Sequence, residues 1–231
     1  MKSEINKTVI IPDVHCHFDR AEAIILKEVP DEIVFLGDYF DAYDETMETH
    51  IQTVEWLKGS MKNPRRIHLL GNHDLSYLDQ KYTCSGYTGV KKFFIDKIGV
   101  KLEKLLRYYW IDETWLCTHA GLSYEFYKAY AGSGQTVSDF LETYDYDVEL
   151  RERLYNCSNM RGGMDAYSGI VWCDYGEFVD IPDIKQIFGH TNDKCVRHLK
   201  NDNGSEHYCL DTSVRYYAVY ENGQMRIEMV K

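Results

Sequence analysis

The sequence predicts an α/β fold, with a mixed β-sheet core flanked by helices. Short apolar runs end in turn residues, stretches of helical spacing separate them, and the last part of the chain reads as strands joined by a tight turn. The first run, Thr8-Val9-Ile10-Ile11, breaks at Pro12-Asp13. Residues 32–36 form a second run and end at Gly37-Asp38; residues 66–70 form a third and end at Gly71-Asn72-His73. Continuous apolar runs of this length suit strands buried on both faces. Between them, residues 20–27 follow Asp19 as a candidate cap, and residues 45–57 carry apolar side chains at helical spacing. Strand, helix and strand in alternation imply right-handed crossovers and a parallel arrangement, in which ligand sites gather at the carboxyl ends of strands.

Further along, residues 89–106 read as a helix with Phe93, Phe94, Ile98 and Leu102 on one stripe. Residues 114–118 read as a strand ending at His119-Ala120-Gly121, and residues 184–188 as another ending at Gly189-His190-Thr191. Residues 123–158 read as helical and polar, an insertion or cap rather than core. Strands at 206–210, 215–220 and 224–230 add antiparallel partners, and Glu221-Asn222-Gly223 is a hairpin signal. Without repeats or linkers, the expected organisation is one domain over 1–231.

Bulk properties narrow the function. The net charge of -11 disfavours broad binding to nucleic acid or to anionic lipid. No apolar run reaches membrane-spanning length, and residues 1–7 lack the apolar segment of a secretory signal. The seven cysteines show no zinc-binding spacing. Reduced thiols in a cytoplasmic protein are expected.

Five motifs concentrate the chemistry: Asp13-x-His15, Gly37-Asp38-x-x-Asp41, Gly71-Asn72-His73-Asp74, His119-Ala120-Gly121 and Gly189-His190-Thr191. Each alone is weak, but each follows an expected strand. Carboxylates favour hard divalent cations and imidazoles favour Mn, Fe and Zn, so this mixed donor set points to transition metals rather than calcium.

Together these motifs resemble the calcineurin-like metallophosphoesterase superfamily, nearest its bacterial and phage phosphoprotein phosphatase branch. The resemblance runs from Asp13 to Thr191 and implies a mixed β-sandwich flanked by helices in four layers. It implies two divalent transition-metal ions, Mn2+ first, with Fe or Zn as alternatives. Asp13 and His15 are similar to ligands of one ion, Asn72, His119 and His190 to ligands of the other, and Asp38 to the bridging carboxylate. His73 resembles the general acid, and Asp41 the carboxylate that orients it. The implied reaction is attack on phosphorus by a hydroxide held between the ions. Small-molecule or phosphoprotein monoesters are the expected substrates. A phosphodiesterase acting on nucleotides or nucleic acid is the first alternative, and a catalytically silent interaction scaffold the second.

Departures from the family are specific. Phosphoprotein phosphatases continue the second motif as Asp-Arg-Gly, whereas Asp41 is followed by Ala42-Tyr43. Arg161, beside Gly162-Gly163, is the candidate replacement for that phosphate-binding arginine, and Trp172-Cys173-Asp174 resembles the family's Trp-Ser-Asp stretch. Asn192 stands where the phosphodiesterase branch often has a second histidine. Cys16 has no Cys-x5-Arg phosphate loop after it, so a thiol nucleophile is not expected. His17 is expected to support the site or face solvent, and His50, His68, His198 and His207 to be structural or exposed.

Overall fold

The computed structural model describes residues 6–230. Its first sheet has the order β10-β9-β1-β2-β3, formed by β1 (Lys7–Ile11), β2 (Glu32–Phe35), β3 (Arg66–His68), β9 (Tyr216–Glu221) and β10 (Gln224–Met229). The three N-terminal strands are parallel, and β9 joins β1 antiparallel. The second sheet has the order β4-β5-β6-β8-β7, from β4 (Tyr108–Ile111), β5 (Trp115–Thr118), β6 (Lys185–Phe188), β7 (Arg197–Lys200) and β8 (Glu206–Cys209). Here β5, β6 and β8 are parallel and the two outer strands antiparallel. Both sheets are therefore mixed, as expected.

Strand periodicity explains the sandwich. Ile10, Val34 and Leu36 pack with Cys117, Ile187 and Tyr208 between the sheets. Their neighbours Val9, Ile11, Ile33 and Phe35 point the opposite way and pack with Ala21, Ile24, Val54 and Leu57. Those residues belong to α1 (Phe18–Glu28) and α2 (Met47–Ser60). Alternation over two buried faces is why the runs are apolar throughout. Each such side chain contributes about 1.5–3 kcal/mol by leaving water. The hairpin between β9 and β10 pairs Glu221 with Gln224, and Asn222 and Gly223 both take positive φ, as a type I′ turn requires.

Several expectations need correcting. Helix α1 begins at Phe18, so Asp19 lies in its first turn and His17 holds the cap position, without a side-chain capping bond. The helix expected at 89–106 is α4 (Gly89–Ile98), following the short α3 (Asn72–Leu78). It ends at Gly99, and Leu102 falls in a separate 3-10 turn. Phe93 is exposed and Ile95 is the buried residue, because the helix rests on α2 by a different face. Residues 123–158 hold α5 (Tyr124–Tyr130), α6 (Val137–Tyr146) and α7 (Val148–Arg153). Their inner face is not polar: Phe126, Phe140, Leu141 and Tyr144 join the larger core cluster. Strands β4 and β7 were not expected.

Candidate metal centre

The motifs fall on five loops at the carboxyl ends of β1, β2, β3, β5 and β6. The first two loops stay paired beyond their strands: His15 N–H donates to Asp38 O at 2.7 Å and Cys16 N–H to Tyr39 O at 2.9 Å. Across the sandwich, Gly189 N–H donates to His119 O at 2.7 Å. Close approach selects two glycines. A Cβ at Gly189 would stand 1.9 Å from Asp13 Oδ2, and one at Gly71 would stand 2.1 Å from Asp38 Oδ1. His15, Cys16, Asp38, Asp41 and His190 all have φ between 37° and 66°. Side chains rarely adopt this left-handed backbone, and its concentration on one site marks stored strain that the surrounding bonds hold in place.

The donor atoms face one another with little between them. His119 Nδ1–H donates to Leu36 O at 2.8 Å, which leaves Nε2 as a bare acceptor. That acceptor lies 3.0 Å from Asn72 Oδ1 and 3.4 Å from Asp38 Oδ2. His190 Nδ1 is 3.0 Å from the same Asn72 oxygen and 3.2 Å from His119 Nε2. On the other side, His15 Nδ1–H donates to Phe40 O at 2.7 Å, and its Nε2 lies 3.6 Å from Asp38 Oδ2. Burial keeps His119 and His190 below the usual histidine range, so both rings are neutral, each with one nitrogen free to act as a ligand.

Asp13 is fully buried. Its Oδ1 accepts from His190 N–H at 2.8 Å, while Oδ2 has no protein partner. Burial, with the charges of Asp211 and Asp38, pushes its pKa well up. Lone pairs converging at such distances repel unless cations lie among them. The nitrogen and oxygen donors therefore fit divalent transition metals. Asp38, His119 and His190 converge with Asn72 as the donors that would hold one ion. His15 and Asp38 converge beside them, and Asp13, outside both groups of converging donors, would have to supply its unpartnered Oδ2 to complete the other.

His73 adjoins this cluster. One of its ring nitrogens lies within 4.8 Å of the His15 and Asp38 donors. Its backbone N–H donates to Asp38 Oδ1 at 2.9 Å, and its Nδ1–H faces Asp41 Oδ2 at 3.0 Å. Burial opposes the imidazolium form, but the Asp38 charge and the Asp41 hydrogen bond outweigh burial and push the pKa up to about 11. Cations among the donors would oppose the Asp38 field and bring it down.

The family model for calcineurin-like phosphoesterases matches residues 7–222. The chain belongs to that family. A calcineurin-like phosphoesterase hydrolyses phosphoesters with divalent metal ions, and the converging donors described above suit that chemistry. A search of curated proteins found no significant match.

Solved structures share the fold. A cold-active protein-tyrosine phosphatase from a psychrophilic Shewanella species is 18% identical with a TM-score of 0.60, the match covering 98% of this chain and 81% of that one. A protein serine/threonine phosphatase from Saccharomyces cerevisiae is 12% identical with a TM-score of 0.57, covering 99% and 81%. A metallophosphoesterase from Sphaerobacter thermophilus is 16% identical with a TM-score of 0.50, covering 97% and 88%.

Other residues of this calcineurin-like phosphoesterase surround the donors. Asp74, quoted in the third motif but given no role from sequence, is fully buried. Its carboxylate accepts from the backbone N–H groups of Gly71, Asp38 and Tyr39 at 2.8–2.9 Å and so ties the second and third loops together. An acid three residues after Gly71, at the third position of a helix, was the available signal. Arg161 lines a cavity of about 860 Å³ together with Asp38, Asn72, His73, Trp172 and His190. Its Nε pairs with Asp174 Oδ2 at 2.7 Å and its Nη2 donates to Thr191 Oγ1 at 2.9 Å. Asn192 does not join the donors: its amide donates to Asp211 Oδ1 at 2.9 Å.

The side residues have settings of their own. Cys16 Sγ donates to Glu45 Oε1, and burial with the Glu45 charge pushes its thiol up to about 12, unlike a nucleophile. His17 lines a separate, smaller cavity. His50 pairs with Glu45, and His68 stacks on Phe35. His198 stacks on Tyr208, and His207 pairs with Asp180. Among the described residues, no helix is long and apolar enough to cross a membrane.

Proposed function

We propose that this protein is a two-metal phosphomonoesterase in which His73 is the general acid. The observation that carries this reading is the His73–Asp41 pair standing against the donor cluster, with His73 lining the same cavity as Arg161. Two divalent ions, Mn2+ first among them, would supply positive charge to the phosphoryl oxygens and lower the pKa of water. The chain's own groups account for the rest. Asp41 fixes the His73 ring through Nδ1, leaving the other nitrogen to face the site and protonate the leaving oxygen. Arg161, braced by Asp174 and Thr191, is suited to a terminal phosphate with two charges to neutralise. Its position compensates for Ala42, where related phosphatases carry arginine. The cavity exceeds what a phosphate fills, leaving room for a large leaving group such as a phosphopeptide or nucleotide.

Asn192 supports monoesters over diesters, because it is committed to Asp211 and adds no ligand where the diesterase branch often has histidine. Comparing hydrolysis of p-nitrophenyl phosphate and its bis ester in Mn2+ tests the reading. Faster monoester turnover is expected. Dominant diester turnover would replace the proposal with the diesterase alternative, and no turnover of any ester by metal-loaded protein would favour the silent scaffold.

A further inference from the structure

Asp41 has two oxygens, and only one serves His73. The other, Oδ1, accepts from Lys91 Nζ at 2.7 Å and from Tyr77 OH at 2.7 Å. Lys91 also pairs with Glu45 and donates to Gly86 O at 3.1 Å. Glu45 in turn holds His50 Nδ1 at 2.8 Å. The charged side chains of this network are enclosed, with exposures of 0% for Asp41, 2% for Glu45 and 14% for Lys91. The backbone of Lys91 is fixed as well: its N–H donates to Thr88 Oγ1 at 3.2 Å, and His50 Nε2 lies 3.2 Å from its carbonyl.

A carboxylate held through one oxygen can twist and exchange oxygens. Two donors on Oδ1 set its plane, so that Oδ2 keeps one direction toward His73. Lys91 approaches Asp41 from α4, and it is not among the residues lining the cavity at His73. It therefore reaches the reaction through Asp41 rather than through the phosphate. The structure thus places a half-buried cation on Asp41 in a chain whose second motif lacks the adjacent arginine.

We propose that Lys91 is a positioning residue for hydrolysis, locking Asp41 so that His73 is aligned to protonate the leaving oxygen. The proposal rests on the reading of His73 as general acid. In the step concerned, a water oxygen bonds to phosphorus and the bond from phosphorus to the leaving oxygen breaks. That oxygen keeps the electron pair and takes the proton from His73, which solvent later replaces; the proton lost by the attacking water passes to solvent.

The test uses Lys91→Gln, Lys91→Arg, His73→Asn and the Lys91→Gln/His73→Asn double variant, assayed on phosphate monoesters of rising leaving-group pKa. Lys91→Gln should lower kcat by about 10- to 100-fold on alkyl esters, with KM little changed and a smaller loss on p-nitrophenyl phosphate. Lys91→Arg should recover most of that loss. In the His73→Asn background, Lys91→Gln should add nothing, because both act on one proton transfer.

Equal losses across all leaving groups, or losses that multiply with His73→Asn, would overturn the proposal. If Lys91→Gln does not fold, Tyr77→Phe removes the other Oδ1 donor without stranding a charge. It should show a smaller loss with the same leaving-group dependence, and no loss would overturn the proposal. If His73→Asn itself leaves the leaving-group dependence unchanged, the acid assignment falls and Lys91 falls with it. If His73→Asn behaves as expected and Lys91→Gln does not, only the Lys91 assignment falls.

Discussion

At the amino end of the first sheet, Glu28 is buried where α1 returns to the strands. It accepts from Tyr217 OH at 2.7 Å, Arg226 Nη2 at 2.8 Å and Lys7 Nζ at 2.8 Å, so every strong demand of its carboxylate is met by protein. At the carboxyl end, Asp13 is more deeply buried still, yet Oδ2 has no partner and the nearby charges are those of Asp211 and Asp38. The backbone differs in degree: Val29 is left-handed beside Glu28, whereas five such residues gather around the second cluster. One end uses buried charge to tie α1, β1, β9 and β10 together. The other leaves charge uncompensated, which costs stability and creates affinity for cations.

The largest effects should come from the uncompensated end. Asp38→Asn is expected to lose more than about 100-fold in kcat/KM, beyond the 10- to 100-fold typical of a residue that only supports a ligand. Metal content should fall with it, measured by elemental analysis. Metal-free Asp13→Asn should melt no lower than metal-free wild type, because Asp13 is the buried carboxylate with an unpartnered oxygen and carboxylate neighbours. A clearly lower melting temperature would place Asp13 with Glu28, as a structural acid. His73→Asn should come next, losing about 100-fold in kcat on alkyl phosphates while retaining its metals. Loss of metal in that variant would make His73 a ligand. For Arg161→Ala, a rise of about 10-fold in KM for monoesters is expected, equivalent to about 1.4 kcal/mol of binding. Unchanged KM would remove Arg161 from phosphate binding.

The smallest catalytic effect should come from the satisfied end. Glu28→Gln is expected to leave turnover unchanged and lower stability at neutral pH by about 1–3 kcal/mol in denaturant melts. Burial works to raise the Glu28 pKa, but the bonds from Lys7, Tyr217 and Arg226 outweigh it and hold the group at about 2, below its ordinary 4.5. A depressed folded-state pKa gives stability that is present above the unfolded value and lost as pH falls through the folded one. The gap between wild type and Glu28→Gln should therefore narrow between about pH 4.5 and pH 2. A gap that stayed constant across that range would mean that Glu28 stabilises by packing rather than by charge.

How much of this could be read from sequence differs between the two ends. The metal-site candidates were legible because each donor follows a strand and a glycine or tight turn, a local pattern that survives without knowledge of packing. The hairpin at Asn222-Gly223 was legible for the same reason, since positive φ at two consecutive positions selects few residues. Glu28 and Lys91 carried no such mark. Their partners lie far away in sequence, Arg226 for one and Asp41 for the other, and only the topology brings them together. Strand β4 was obscured by half-buried Tyr and Trp residues, and β7 by its charged edge sequence. The face of α4 was misjudged because Phe93 looks like core, whereas packing against α2 buries Ile95.

The central claim is that the acceptors converging at the carboxyl end are a place for divalent cations. Isothermal titration of chelator-stripped protein with Mn2+, beside Asp38→Asn, tests it most directly. Wild type should bind two ions per chain, and the variant should lose both. A wild-type titration with no binding, or one that matched Asp38→Asn, would contradict it.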